Sequence, residues 1–148
     1  KSLRLRYSLL KYYYSVYATT YGVGTVFSPL FVEFPEDSEC LDLQTQAMIG
    51  PALMITPVLS QSKIGDVTTI KPYFPQGTWF SIQDPNVRFA GGATKSFNVS
   101  FNESCPTFIR EGYLVIYQDA HLESGEFVTR TYELDNRFIL LIALIDYE

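Results

Sequence analysis

A chain of 148 residues is long enough to bury a real core, and its 47% apolar and 16% aromatic content, rich in Tyr and Phe, excludes a disordered polymer. The formal net charge of -5 arises without a dense acidic or basic block, so the electrostatic footprint that a phosphate backbone demands is missing and nucleic acid is not an expected partner. The longest apolar run, 138–145, falls far short of the roughly 20 residues needed to cross a bilayer, and no cleavable signal pattern opens the chain, so no membrane span and a soluble protein are expected.

From Leu3 onward, Leu3, Tyr7, Leu10, Tyr14, Tyr17 and Tyr21 recur at alternating steps of four and three, the spacing of one helix face. A second set, Leu5, Leu9, Tyr13 and Val16, widens that face until little is left for water, so the helix is expected to be covered on more than one side. Gly22 and Gly24 are its expected stop. The texture then changes to short β-branched and aromatic runs punctuated by Pro, Gly, Asn and Asp, the pattern of an antiparallel β-sandwich in a mainly β chain. Strands are expected near 25–34, 52–59, 67–74, 78–82, 95–101, 108–117, 127–133 and 138–145, with 41–48 as a short helix or irregular bridge. Asp84-Pro85-Asn86 and Gly91-Gly92 read as turns, and a polar interval near 119–125 as a weak domain boundary. In the strand 95–101, Phe97, Val99 and Phe101 alternate with Ser96, Asn98 and Ser100, giving a packed face and a wet face. The same alternation carried one step further sets Asn102 beside Asn98 on the wet side.

Few residues carry chemistry. His121, the only histidine, lies in a polar interval with no second His to share a metal and no Ser or Cys in a triad order, and it reads as a surface residue. Glu36-Asp37 stands beside Pro35 without acid/base spacing and reads as a solvated turn. Gly22-Val23-Gly24 and Gly91-Gly92 are too short for phosphate loops. Trp79, Phe80 and Tyr73 could stack a sugar, though a core aromatic cluster accounts for them better. No catalytic, substrate-contacting or metal-ligating residue is assigned, and no cofactor is expected.

Several segments, in matching order over essentially the whole chain, resemble glycoside hydrolase family thirty-one, the group of lysosomal and digestive α-glucosidases. Arg6-Tyr7-Ser8-Leu9-Leu10 with Tyr12-Tyr13-Tyr14 is similar to the last helix of that family's catalytic (β/α)8 barrel. Gly24-Thr25-Val26, Pro29-Leu30-Phe31 and Glu33-Phe34-Pro35-Glu36-Asp37 resemble the entry into its proximal C-terminal sandwich. The strongest resemblance is the run from Met48-Ile49-Gly50-Pro51-Ala52 through Ile55-Thr56-Pro57, followed by Tyr73-Phe74-Pro75-Gln76-Gly77-Thr78-Trp79-Phe80. Ile109-Arg110-Glu111-Gly112-Tyr113 to Gln118, then Thr129-Arg130 and Leu141-Ile142-Ala143-Leu144, resemble the step into the distal C-terminal domain. Lys11, Ser28 and Glu111 depart from the pattern, standing where the family usually has proline, arginine and glycine.

The resemblance implies three parts: residues 1–22 as the terminal barrel helix, 23–118 as the proximal β-sandwich and 119–148 as the start of a distal β domain. It implies a non-catalytic C-terminal part of a retaining exo-acting α-glucosidase, whose nucleophile and acid/base lie on barrel strands upstream, so the remainder of the parent enzyme is the expected partner and an α-glucan or oligosaccharide is met only through it. Part of an inactive scaffold relative, or a free carbohydrate-binding sandwich, are the competing readings. Lys1 in place of Met, and a last strand-like run close to the other end, are expected of a piece of a longer chain.

Asn98-Val99-Ser100 and Asn102-Glu103-Ser104 are both acceptor sequons, so N-glycosylation is expected at Asn98 and Asn102, in the secretory pathway and a lysosomal or extracellular setting. The only two cysteines, Cys40 and Cys105, are expected to form a disulfide there, closing a long loop and stabilising by roughly 4 kcal/mol. Buried free thiols, or pairing outside this chain, are the alternatives.

Overall fold

The structure, a computed structural model, describes residues 1–20, 23–61, 63–119, 130–133 and 137–145. Its helices are α1 (Ser2–Ser8), α2 (Leu10–Thr19) and the short α3 (Leu30–Glu33). Its strands are β1 (Phe27–Ser28), β2 (Ala47–Ile49), β3 (Leu53–Ile55), β4 (Val67–Ile70), β5 (Tyr73–Phe74) and β6 (Thr78–Ser81). They continue with β7 (Arg88–Ala90), β8 (Ala93–Thr94), β9 (Phe97–Ser100), β10 (Thr107–Arg110), β11 (Leu114–Tyr117) and β12 (Ile139–Ile142). The chain is mainly β, and every strand pair among the described residues is antiparallel, as a sandwich requires.

The opening helix is interrupted at Leu9, whose φ of -96° and ψ of 4° leave the helical well and separate α1 from α2. Beyond the break, Leu9, Tyr12 and Val16 are buried against the sheet with Leu5 and Tyr13 packed beside them, whereas Leu3, Tyr14 and Tyr17 are exposed. The stripe that spacing marks first is therefore the one turned away from the sandwich, and the second set makes the seam. At the other end the Thr19 and Thr20 hydroxyls donate to the Val16 and Tyr17 carbonyls, satisfying backbone acceptors that the last turn leaves open. Tyr21 and Gly22 lie outside the described residues, so the expected glycine stop is described only at Gly24.

Six strands form one sheet in the order β1-β2-β3-β10-β6-β7, and the pairs β4-β9, β5-β8 and β11-β12 lie apart from it. The central strands of the six-stranded sheet are covered on both faces, and the period of two deals successive residues to two different cores. Ile49, Leu53 and Ile109 point to the helix side with Leu9, Tyr12, Val16 and Val115. Their neighbours Met48, Met54 and Phe108 point the other way, into an aromatic core with Phe74 and Trp79.

Several expected strands are divided. Residues 25–34 hold only the two-residue β1 before Pro29 caps α3, and the expected bridge at 41–48 ends in β2 after a 3-10 turn at Ser38–Cys40. The strand expected at 108–117 is two strands in different sheets, parted at Gly112, whose φ of +78° a strand interior does not tolerate. Gly91-Gly92 joins β7 to β8, which lie in different sheets, so this is an arch between layers rather than a hairpin. Of the strand expected at 127–133, residues 127–129 lie outside the described residues, and Thr131–Glu133 is a 3-10 turn.

Candidate functional site

The seam between α2 and the six-stranded sheet is fixed by both packing and hydrogen bonds. The Tyr12 hydroxyl donates to the Ile49 carbonyl at 2.7 Å and accepts from the Ala52 N–H at 3.3 Å, so one side chain bridges the β2-β3 connection. Burial, the main cause, pushes its pKa up to about 12. On the far side of the sheet, Gln46 does for β5 what a neighbouring strand would do. Its amide nitrogen donates to the Tyr73 carbonyl and its amide oxygen accepts from the Tyr73 N–H, both at 2.7 Å. A third fastening lies at the end of β10, where the Arg110 guanidinium stands 4.5 Å from the centre of the Phe34 ring and 5.6 Å from that of Tyr113. None of the three was marked by spacing, because each is a lone polar group on an otherwise apolar background.

The residues marked for sugar stacking do not form a platform. Trp79 is fully buried, its indole N–H donating to the Pro75 carbonyl at 2.8 Å, and Tyr73 is buried beside it. Phe80 follows Trp79 on the strand and so faces the opposite core. The aromatic-cluster reading is the correct one, and the free carbohydrate-binding sandwich loses its platform.

The cysteines stand as free thiols, which corrects the expected Cys40–Cys105 disulfide. Cys40 is buried in the aromatic core beside Asp37, and burial followed by the nearby Asp37 charge pushes its thiol up to about 12. Cys105 lies by the opening helix, its N–H donating to the Ser2 hydroxyl at 3.1 Å, and burial raises its thiol too. Cys40 belongs to the aromatic core and Cys105 to neither core cluster, a separation that an even cysteine count does not reveal.

Asn98 is exposed on β9, and Thr69, directly opposite on β4, donates its hydroxyl to the Asn98 Oδ1 at 2.8 Å. Asn102 is exposed as well, but in the turn after β9 rather than on the strand. The turn closes through the Glu103 N–H to the Ser100 carbonyl at 2.9 Å, which ends the alternation and leaves Phe101 exposed. Asp37 of the acidic pair accepts from the Tyr73 hydroxyl at 2.8 Å, a structural use of that carboxylate. His121 lies outside the described residues. Among the described residues no group of three or more His, Cys, Asp or Glu could hold a metal ion, and no helix is long and apolar enough to cross a membrane.

The described residues thus form an antiparallel β-sandwich fastened to a helix at Tyr12, with further polar clamps at Gln46 and Arg110. The chain belongs to glycosyl hydrolase family 31: residues 24–115 match the Glycosyl hydrolase family 31 C-terminal domain, and the chain is a non-catalytic part of such a protein. It is 39% identical over 153 aligned positions to a lysosomal acid alpha-glucosidase of Tetrahymena pyriformis, with 97% of this chain and 16% of that protein covered. It is 34% identical over 144 to a lysosomal alpha-glucosidase of Mus musculus, covering 85% and 15%. The chain thus spans about a sixth of the length of the curated relatives it matches. In fold it matches a GH31 dextranase of Flavobacterium johnsoniae with a TM-score of 0.77 at 19% identity, covering 97% of this chain and 16% of that one.

Proposed function

We propose that this chain holds in place the catalytic barrel of a retaining exo-acting α-glucosidase, the whole enzyme removing terminal α-linked glucose from oligosaccharides. The observation that carries the reading is the two-sided helix. Leu9, Tyr12 and Val16 are committed to the sandwich while Leu3, Tyr14 and Tyr17, each more than 60% exposed, form a second apolar stripe that the described residues leave uncovered. Residues 1–22 are then the last barrel helix, 23–118 the proximal sandwich and 119–148 the start of a distal domain, whose strand β12 pairs with β11 of the sandwich and leaves Leu140 and Ile142 exposed. Retaining glycoside hydrolysis needs two carboxylates held about 5–5.5 Å apart, and a rigid outer layer keeps the strands that carry them in register. Substrate meets the barrel, not this chain.

The names of the relatives and the two sequons support a place in the secretory pathway, lysosomal or extracellular, with N-glycans at Asn98 and Asn102. The test is the full parent enzyme carrying Tyr14→Asp and Tyr17→Asp, assayed on an aryl α-glucoside. Activity is expected to fall roughly a hundredfold as the barrel loses its seat, with the sandwich still folded by circular dichroism. Unchanged hydrolysis would overturn the proposal.

A further inference from the structure

β4 runs on into β5 and β8 into β9, so the pairs β4-β9 and β5-β8 share one register along a two-stranded ribbon. The Phe101 N–H donates to the Asp66 carbonyl at 3.0 Å and the Lys95 N–H to the Pro72 carbonyl at 2.9 Å, which fixes the parity of the ladder. Thr68 and Ile70, lying between those two rungs, therefore turn their backbone groups toward β9. Val67, Thr69, Lys71 and Tyr73 turn theirs to the free edge, successive ones about 7 Å apart.

The two edges of the ribbon are not alike. On β9 the outward groups of Ser100 are closed by Glu103: the Ser100 N–H donates to Glu103 Oε2 at 2.8 Å, and the Ser100 carbonyl accepts from the Glu103 N–H at 2.9 Å. On the other edge Tyr73 is closed by the Gln46 amide, with both bonds at 2.7 Å. The outward groups of Val67, Thr69 and Lys71 have no hydrogen-bond partner among the described residues. Beside them runs a groove of about 280 Å³, lined by Gln46, Thr68, Thr69 and Lys71 and, from a second segment, by Thr56 and Pro57.

Gln46 shows what this groove takes. Its amide both donates to and accepts from one outward residue, which is what every second peptide of an added strand does. The groove is also marked in charge. In a chain of net charge -5, Lys71 is the one charged residue lining it among the described residues, and Lys63 stands exposed in the turn before β4. A strand laid here is favoured when it carries carboxylates. Such a strand is short, with few rungs to hold it, so a tethered segment has the advantage of effective concentration over a free peptide. The chain spans about a sixth of the curated relatives it matches, and the remainder of the parent offers such segments.

We propose that the free edge of β4 receives an extended, acidic segment of the parent protein from outside this chain, bonded to the outward groups of Val67, Thr69 and Lys71 and continuing the line that Gln46 begins. The site is independent of the barrel seat proposed above and uses none of its residues.

The experiment uses the full parent protein. Carbodiimide coupling, which joins an amine to a carboxylate in contact with it, is expected to link Lys71 to an Asp or Glu from outside this chain, identified by peptide mass mapping. Amide exchange resolved to single residues is expected to run at least about tenfold below the unprotected rate at Val67 and Thr69. Lys71→Glu is expected to raise exchange at both severalfold with circular dichroism unchanged, and Lys71→Arg to leave it as it was. No link at Lys71, or links confined to carboxylates of this chain, overturns the proposal. Links between copies in a mixture of light and heavy isotope-labelled protein overturn it in favour of a second copy. Unprotected exchange at Val67 and Thr69 overturns it as well, and makes Lys63 and Lys71 guards that keep a bare edge from pairing.

Discussion

Tyr12 and Gly50 meet at the seam with no room to spare: a Cβ placed on Gly50 would lie 2.8 Å from the Tyr12 hydroxyl and 2.7 Å from Val16 Cγ2. Gly50 also sits at a φ of +57°, so a side chain there is strained by the backbone as well as by the helix. Gly50→Ala is therefore expected to destabilise the chain more than Tyr12→Phe. The latter leaves the Ile49 carbonyl and the Ala52 N–H without their bridge and costs about 1–3 kcal/mol. Urea unfolding of each variant checks the order, and equal stability of Gly50→Ala and the parent sequence would refute it.

Alkaline pH should weaken the fold through two tyrosines. Tyr12 and Tyr73 are both pushed up to about 12, each chiefly by burial, with the Asp37 hydrogen bond adding at Tyr73, while in the unfolded chain they ionise near 10. Because the folded pKa is the higher one, their contribution is fully present below pH 10 and drains away as pH rises toward 12. Unfolding midpoints measured across that window should decline, and the decline should be shallower in Tyr12→Phe.

Gln46 is a second point of failure. Gln46→Ala strips both hydrogen bonds from the Tyr73 backbone in a buried site and is expected to cost about 1–3 kcal/mol for each group left unpaired. Gln46→Glu keeps the shape but replaces the donor with an acceptor facing the Tyr73 carbonyl, so it should rescue little. Thermal melts of the two variants distinguish lost hydrogen bonding from lost volume.

The thiols should behave unequally. Cys40 is fully buried and its thiol is held protonated to about pH 12, whereas Cys105 is partly exposed. Iodoacetamide at neutral pH is expected to label Cys105 first and Cys40 only after denaturant is added. Recovery of a Cys40–Cys105 cross-linked peptide under non-reducing conditions would contradict the structure.

Trp79→Ala should cost about 3–5 kcal/mol, since a fully buried indole ringed by Phe34 and Phe74 leaves a cavity that a sheet buried on both faces cannot close. Calorimetry provides the measurement. The same variant in the intact parent should leave oligosaccharide affinity unchanged where the protein remains folded.

Much of this architecture was legible in the chain because alternation is a strong signal wherever one face is wet. Phe97, Asn98, Val99 and Ser100 show it plainly, and β9 follows. Where both faces are buried the signal vanishes: β2 reads Ala-Met-Ile with no alternation at all, a pattern that suits an irregular bridge as well as a strand. The three tyrosines at 12, 13 and 14 share a composition but point to three sides of the helix, and nothing local distinguishes the buried Tyr12 from the exposed Tyr14. The clamps at Gln46 and Arg110 depend on partners 27 residues away in one case and on two rings from different segments in the other, distances over which composition carries no information.

β10 has a consequence for how the protein is made. It lies between β3 and β6, and its register partner for Leu53 is Ile109. As synthesis runs from the N-terminus, the β1-β2-β3 ribbon and the β6-β7 hairpin emerge as two halves with raw inner edges, and neither can close until the segment carrying Thr107–Arg110 has left the ribosome. Over that interval the nascent chain presents two templates for strand pairing with a stranger, so any pause in translation shortly before β10 lengthens the time it depends on chaperones.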